Sequence, residues 1–172
     1  MGEVAGPHLV SLWSQFQQRN PMRRSGVALV GANDTLAGRR PAGGDDGLLT
    51  AEEVVGMDLW GTNLVVISAC ESGLGEFRGG EGVYGLRRAF AVAGAQNLVM
   101  SLWSVSDRET TRLMESLYTH ISKGGTPQLA LLAAQREYIA AERAAGRYPH
   151  PFYWAAFVAS GSGRGLEPPK SP

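Results

Sequence analysis

Only one cysteine, Cys70, occurs in the 172 residues. That excludes an internal disulfide framework and fits a reducing compartment, so a cytoplasmic location is expected. Histidine is scarce too: the three present are scattered, with no metal-ligand spacing, and neither a metal nor another cofactor is expected. Charge of one sign is not in excess, because sixteen Lys and Arg balance sixteen Asp and Glu. Without a basic stripe to neutralise phosphates, nucleic-acid binding has no electrostatic support. Long apolar runs are missing, and the first residues lack a charged-then-apolar signal pattern, so no membrane association is expected. What remains is a soluble chain, most simply one domain, long enough to bury a core.

The stretch that is there to organise it is residues 63–75, NLVVISACESGLG. Its apolar run, residues 64–67, is bounded by turn formers and reads as a strand buried on both faces. Cys70 stands where that strand stops, at the carboxyl end of a sheet, where open α/β folds put their chemistry. A buried structural cysteine is the competing reading of the same residue.

The rest of the chain reads as support. Residues 8–17 have helical apolar spacing, and VALV at 27–30 reads as a second strand. Residues 34–46, rich in Gly, Asp, Arg and Pro, read as a loop. Thr50-x-x-Glu53 is a capping box that opens a short helix. After a glycine-rich loop over 71–82, residues 83–93 read as a helix with Leu86, Phe90 and Ala93 on one face. NLVMSLW at 97–103 is a third strand, and Ser106-x-x-Glu109 is a second capping box. Leu113, Met114, Leu117, Tyr118 and Ile121 then define an amphipathic helix. Thr126-Pro127 opens a further helix, with the proline in its first turn, running to about Ala145. Residues 152–159 read as a last strand, and the Gly, Pro and Ser content of the tail reads as disorder. Strands alternating with helices imply a parallel sheet covered on both faces.

Three segments, NLVVISACESGLGE, GGEGVYGLRRAFAVAGAQNLVMSLWSVSD and HPFYWAAFVASG, resemble the CHAT domain, a caspase-like module of the clan that includes caspases and separase. The resemblance implies an α/β fold, a caspase-like three-layer sandwich with a mostly parallel sheet. It divides the chain into an N-terminal segment over 1–19, a CHAT region over 20–161 and a disordered tail over 162–172. Residues 64–69 become the strand carrying the nucleophile, 98–103 the next strand and 153–158 an edge strand. Cys70 matches the nucleophile of a cysteine endopeptidase that acts on a protein or peptide substrate. Asp107, in LWSVSD, resembles an acid that lines the pocket for the residue before the scissile bond, where it would favour a basic side chain by charge pairing. Capping the helix that follows is its competing role. Glu71 is a candidate for orienting the substrate backbone. The resemblance also implies a neighbouring tetratricopeptide-repeat region as a partner.

One family feature is not matched. The family's catalytic histidine lies in an Ala-Thr-His-Gly-like segment upstream of the NP-x-x-R-S-G stretch, and no His-Gly occurs in this sequence. His8 opens a helical segment, His120 reads as a solvated surface residue, and His150 reads as structural. The sheet is therefore expected to be incomplete on its N-terminal side, with a fragment inactive alone. The alternative is a non-catalytic pseudo-peptidase serving as an interaction or signalling module.

Overall fold

In a computed structural model, residues 22, 25–39, 45–68, 81–163 and 165 are described. The expected helix over 8–17 and most of the tail lie outside them. The chain separates into two compact units, one comprising residues 1–57 and 72–93 and the other 58–71 and 94–172.

The first unit begins with β1 (Gly26–Ala28), α1 (Ala32–Leu36), β2 (Leu48–Thr50) and α2 (Ala51–Val55). β1 and β2 pair antiparallel, Val27 opposite Leu49. VALV is thus shorter than expected as a strand: Leu29 and Val30 turn outward and are exposed. The expected loop over 34–46 instead begins helical, entered from Gly31 in the left-handed region at φ 97°. Arg39 closes on Asp34 at 2.7 Å just past this helix. The Thr50 capping box forms as read: Thr50 Oγ1 accepts from Glu53 N–H, and Glu53 Oε2 accepts from Thr50 N–H at 2.7 Å. α3 (Glu81–Val92) packs against α2. Leu86, Ala89, Phe90 and the following Ala93 are buried at i, i+3, i+4, i+7, the single stripe a surface helix presents to a core.

The second unit carries a three-stranded sheet in the order β3 (Val65–Ile67), β4 (Asn97–Ser101), β5 (Phe157–Gly161). β3 and β4 run parallel, Ile67 opposite Met100, and β5 lies antiparallel at the edge, Val99 opposite Ala159. Every residue of β4 is buried, the polar Asn97 and Ser101 at its ends as well as the apolar Leu98, Val99 and Met100 between them, as a central strand requires. α4 (Asp107–Ser122) and α5 (Pro127–Ala144) form an antiparallel pair. Leu113 and Leu117 of α4 meet Ala130, Leu131 and Ala134 of α5 over Val99 and Phe157. Each of those leucines contributes roughly 1.5–3 kcal/mol by leaving water. The small alanines on α5 let the two helices approach closely. Thr126 Oγ1 accepts from Leu129 N–H, and Pro127 sits in the first turn, so this helix starts where it was read to start.

The last expected strand is displaced. Pro151–Trp154 form a helical turn, α6, and the strand begins only at Phe157. Proline at the first helical position fixes φ, and His150 Nδ1 accepts from Phe152 N–H, which together outweigh the strand preference of Phe-Tyr-Trp. The α/β class read from the sequence is the class observed.

Candidate functional site

β3 and β4 end side by side. Beyond Ile67 the chain leads in sequence to Cys70 and Glu71, and both of these candidate site residues lie outside the described residues. Beyond Ser101 it leads to Asp107, the first residue of α4. The connection between them is anchored: Leu102 N–H donates to the Ala156 carbonyl at 2.7 Å, and Trp103 Nε1–H to the Phe152 carbonyl at 2.9 Å. Trp103 also stacks on Phe152 with ring centroids 6.4 Å apart, and Val105 is buried in the core.

Asp107 is exposed, and among the described residues its carboxylate has no hydrogen-bond or ion-pair partner. Its role as a side-chain cap is therefore not realised here. It does sit in the first turn of a 16-residue helix, where the helix dipole favours an anion. The expected Ser106–Glu109 capping box does not form either: Ser106 makes no side-chain cap bond. The Glu109 carboxylate is drawn elsewhere, to Arg112 at 3.2 Å, with Arg108 3.9 Å from its other oxygen.

That rearrangement belongs to a cluster that local sequence reading missed. Glu142, buried near the end of α5, accepts from Arg147 Nε at 2.6 Å, Arg147 Nη2 at 2.8 Å and Arg112 Nη1 at 3.1 Å. The hydrogen bonds from Arg147 are the main reason its carboxyl is held down at about 2, against the opposing effect of burial. Arg112 also lies over the Tyr138 ring, 4.9 Å from its centroid. Burial, then the neighbouring Glu109 carboxylate, pushes the Tyr138 hydroxyl up to about 12. Helical spacing was the available signal: Arg108 and Arg112 are four apart on α4, as are Tyr138 and Glu142 on α5.

The two described histidines are both engaged. His120 Nε2 lies 2.8 Å from Glu137 Oε1, and Ser116 donates to the other oxygen of the same carboxylate. This corrects the reading of His120 as merely solvated. The Ser116 hydroxyl, and then His120, hold Glu137 below the usual carboxylate range. His150 caps α6 and is structural, as read. Trp60 is 85% exposed on a turn whose backbone Asp58 holds.

Residues 6–162 match the model of the CHAT domain family. The chain belongs to the CHAT domain family. It is 32% identical over 124 residues to human tetratricopeptide repeat protein 28, and 30% identical over the same length to the mouse protein of that name. The match takes in 72% of this CHAT chain but only 5% of each relative's length. Among the described residues, this CHAT domain has no helix long and apolar enough to cross a membrane. Nor do those residues bring three or more His, Cys, Asp or Glu together as metal ligands.

Proposed function

We propose that this CHAT domain carries the nucleophile side of a caspase-like cysteine endopeptidase site. Cys70 is the nucleophile, Asp107 lines the pocket for a basic residue before the scissile bond, and Glu71 orients the substrate backbone. The observation that supports this reading is the parallel pairing of β3 with β4, whose adjacent carboxyl ends lead along the chain to Cys70 and to Asp107. In the reaction, a histidine imidazole takes the thiol proton while sulfur bonds to the scissile carbonyl carbon. The C–N bond then breaks, the amine leaves with that proton, and water hydrolyses the thioester. His120 lies in the last turn of α4, roughly 20 Å along the helix from Asp107 at its start, and His150 Nδ1 accepts from Phe152 N–H, so in this proposal the base comes from outside the described residues. A free thiol with pKa ~8.5 is mostly protonated at neutral pH, so without that base turnover is negligible while slow capture of an electrophile persists.

The test is intact mass after incubating the folded chain with an arginyl acyloxymethyl ketone. An adduct on Cys70 is expected, forming several-fold more slowly in Asp107→Ala. Equal reaction with an aspartyl reagent sinks the pocket assignment. Labelling only in denaturant identifies a structural cysteine. That outcome favours the second reading, an interaction module, which the placement of His120 at the far end of α4 from Asp107 and the use of His150 as a cap support. In either reading we propose a cytoplasmic domain working beside a tetratricopeptide-repeat region, such as its relatives' names indicate.

A further inference from the structure

The cluster around Glu142 borders a cleft of about 380 Å³ between the start of α4 and the end of α5. Three guanidinium groups, on Arg108, Arg112 and Arg147, line it with only two carboxylates, on Glu109 and Glu142. The acceptors are largely engaged: Glu142 takes three N–H bonds, and Glu109 accepts from Arg112 on one oxygen and faces Arg108 with the other. The donors are not: Arg108 is 82% exposed and touches Glu109 only at 3.9 Å. A guanidinium carries five N–H donors, so Arg112 and Arg147 retain unused ones. A cation entering this cleft finds its carboxylates occupied, whereas an oxyanion finds spare, charged donors.

A second cleft of about 520 Å³ adjoins the first, sharing Arg147 and Tyr148. Its walls are apolar on the side of Ile139, Pro149, Pro151 and the Trp154 ring, with Arg143 and Arg147 at the other side. The polar edge of Trp154 is satisfied internally, because Nε1–H donates to the Pro149 carbonyl at 3.1 Å. Between the clefts stands Tyr148, 78% exposed and in edge-to-face contact with His150. A free inorganic anion finds guanidinium groups in both clefts, Arg143 and Arg147 in the second as well as Arg108 and Arg112 in the first, but makes no use of the apolar walls. A ligand that fills both presents an oxyanion and an apolar group a short distance apart.

We infer that these joined clefts form a docking site for a peptide segment in which an acidic side chain is followed closely by an apolar one. The carboxylate enters among Arg108, Arg112 and Arg147, and the apolar side chain passes Tyr148 into the neighbouring cleft. The site does not depend on Cys70 or on peptidase chemistry.

Fluorescence anisotropy of the full chain with a labelled peptide containing Glu-Leu tests it, beside versions carrying Lys for Glu or Ser for Leu. The Glu-Leu peptide is expected to bind about tenfold more tightly than the Lys version, about 1.4 kcal/mol, and the advantage should shrink in high salt. Arg112 and Arg147 hold a buried carboxylate, so their removal threatens folding; Arg108→Glu and Tyr148→Ala change exposed groups instead. Arg108→Glu should abolish the preference for Glu, Arg108→Lys should keep most of it, and Tyr148→Ala should weaken binding several-fold. Circular dichroism and an unchanged Cys70 labelling rate separate these effects from misfolding. Equal affinity for the Glu and Lys peptides, or no change in Arg108→Glu, overturns the proposal. So does complete displacement by inorganic phosphate with no contribution from Leu, which marks a simple oxyanion site.

Discussion

Asn97 Nδ2 donates to the Asn63 carbonyl at 3.0 Å, tying the residue that opens β4 to the segment just ahead of β3. The same buried side chain accepts from Gln128 Nε2 at 3.0 Å and so reaches the first turn of α5. Both bonds lie at the end of the sheet opposite the candidate site, and fix there the pairing that matters at the other end. Asn97→Ala is expected to cost about 1–3 kcal/mol, because buried partners lose their bonds. Urea denaturation measures this. A loss below about 0.5 kcal/mol would mean that water restores the contacts.

The last residue of β5 sets a second prediction. Gly161 has φ +138°, and a Cβ there would lie 2.3 Å from the Gln96 carbonyl oxygen and 2.7 Å from Asn97 Cα. Backbone atoms cannot yield as a flexible side chain can. Gly146 also has positive φ, +69°, but nothing stands within 4 Å of its would-be Cβ. Gly146→Ala should therefore cost only the left-handed backbone penalty, ~1–2 kcal/mol. Gly161→Ala should cost clearly more. Similar losses for the two would show that the sheet edge can shift to admit a methyl group.

Glu142 sets the acid behaviour. Its carboxyl is lowered from 4.5 to about 2 in the fold, so the native state binds fewer protons than the unfolded chain. Its contribution to stability is complete above about pH 4.5 and is lost as pH falls from there toward 2. Melting temperatures between pH 7 and 2 should therefore fall steeply in that window, and Glu142→Gln should be less stable at neutral pH with a flatter acid limb. An identical limb in the variant would assign the acid transition to other carboxylates.

These three predictions draw on features of unequal visibility in the sequence. β3, β4, α4 and α5 were readable because their signals are local and mutually consistent: unbroken apolar runs, Leu113 and Leu117 one turn apart, and Thr126-Pro127 at a helix start. β2 was not, because three residues ending in a capping threonine show no alternation. The helical turn at 151–154 was misread where a proline and a histidine cap overrode aromatic strand preference. The second capping box failed because Glu109 pairs instead with Arg112, three residues on along the same helix, a competition that the Ser106-x-x-Glu109 pattern by itself does not announce. The cleft was invisible for a tertiary reason, since its groups come from α4, α5 and the segments after α5. The Cys70, Glu71 and Asp107 assignments rested on resemblance to the family, and the structure adds the adjacency of the strand ends that precede them.

The parallel pairing of β3 and β4 also carries a consequence for how the chain is made. Antiparallel neighbours can be joined by a tight turn, but a parallel pair needs a long crossover, here the whole chain between Ile67 and Asn97. Closing such a loop costs entropy before any contact repays it, whereas α4 and α5 are separated only by residues 123–126. The ribosome delivers β3 first and its partners later, so the strand that leads to Cys70 waits as an exposed Val-Val-Ile segment until β4 arrives. In pulse-labelled hydrogen exchange, amides of the helical pair should be protected before those of β3. The stretch that leads to the candidate nucleophile is then the part of its unit most dependent on a folding helper during synthesis.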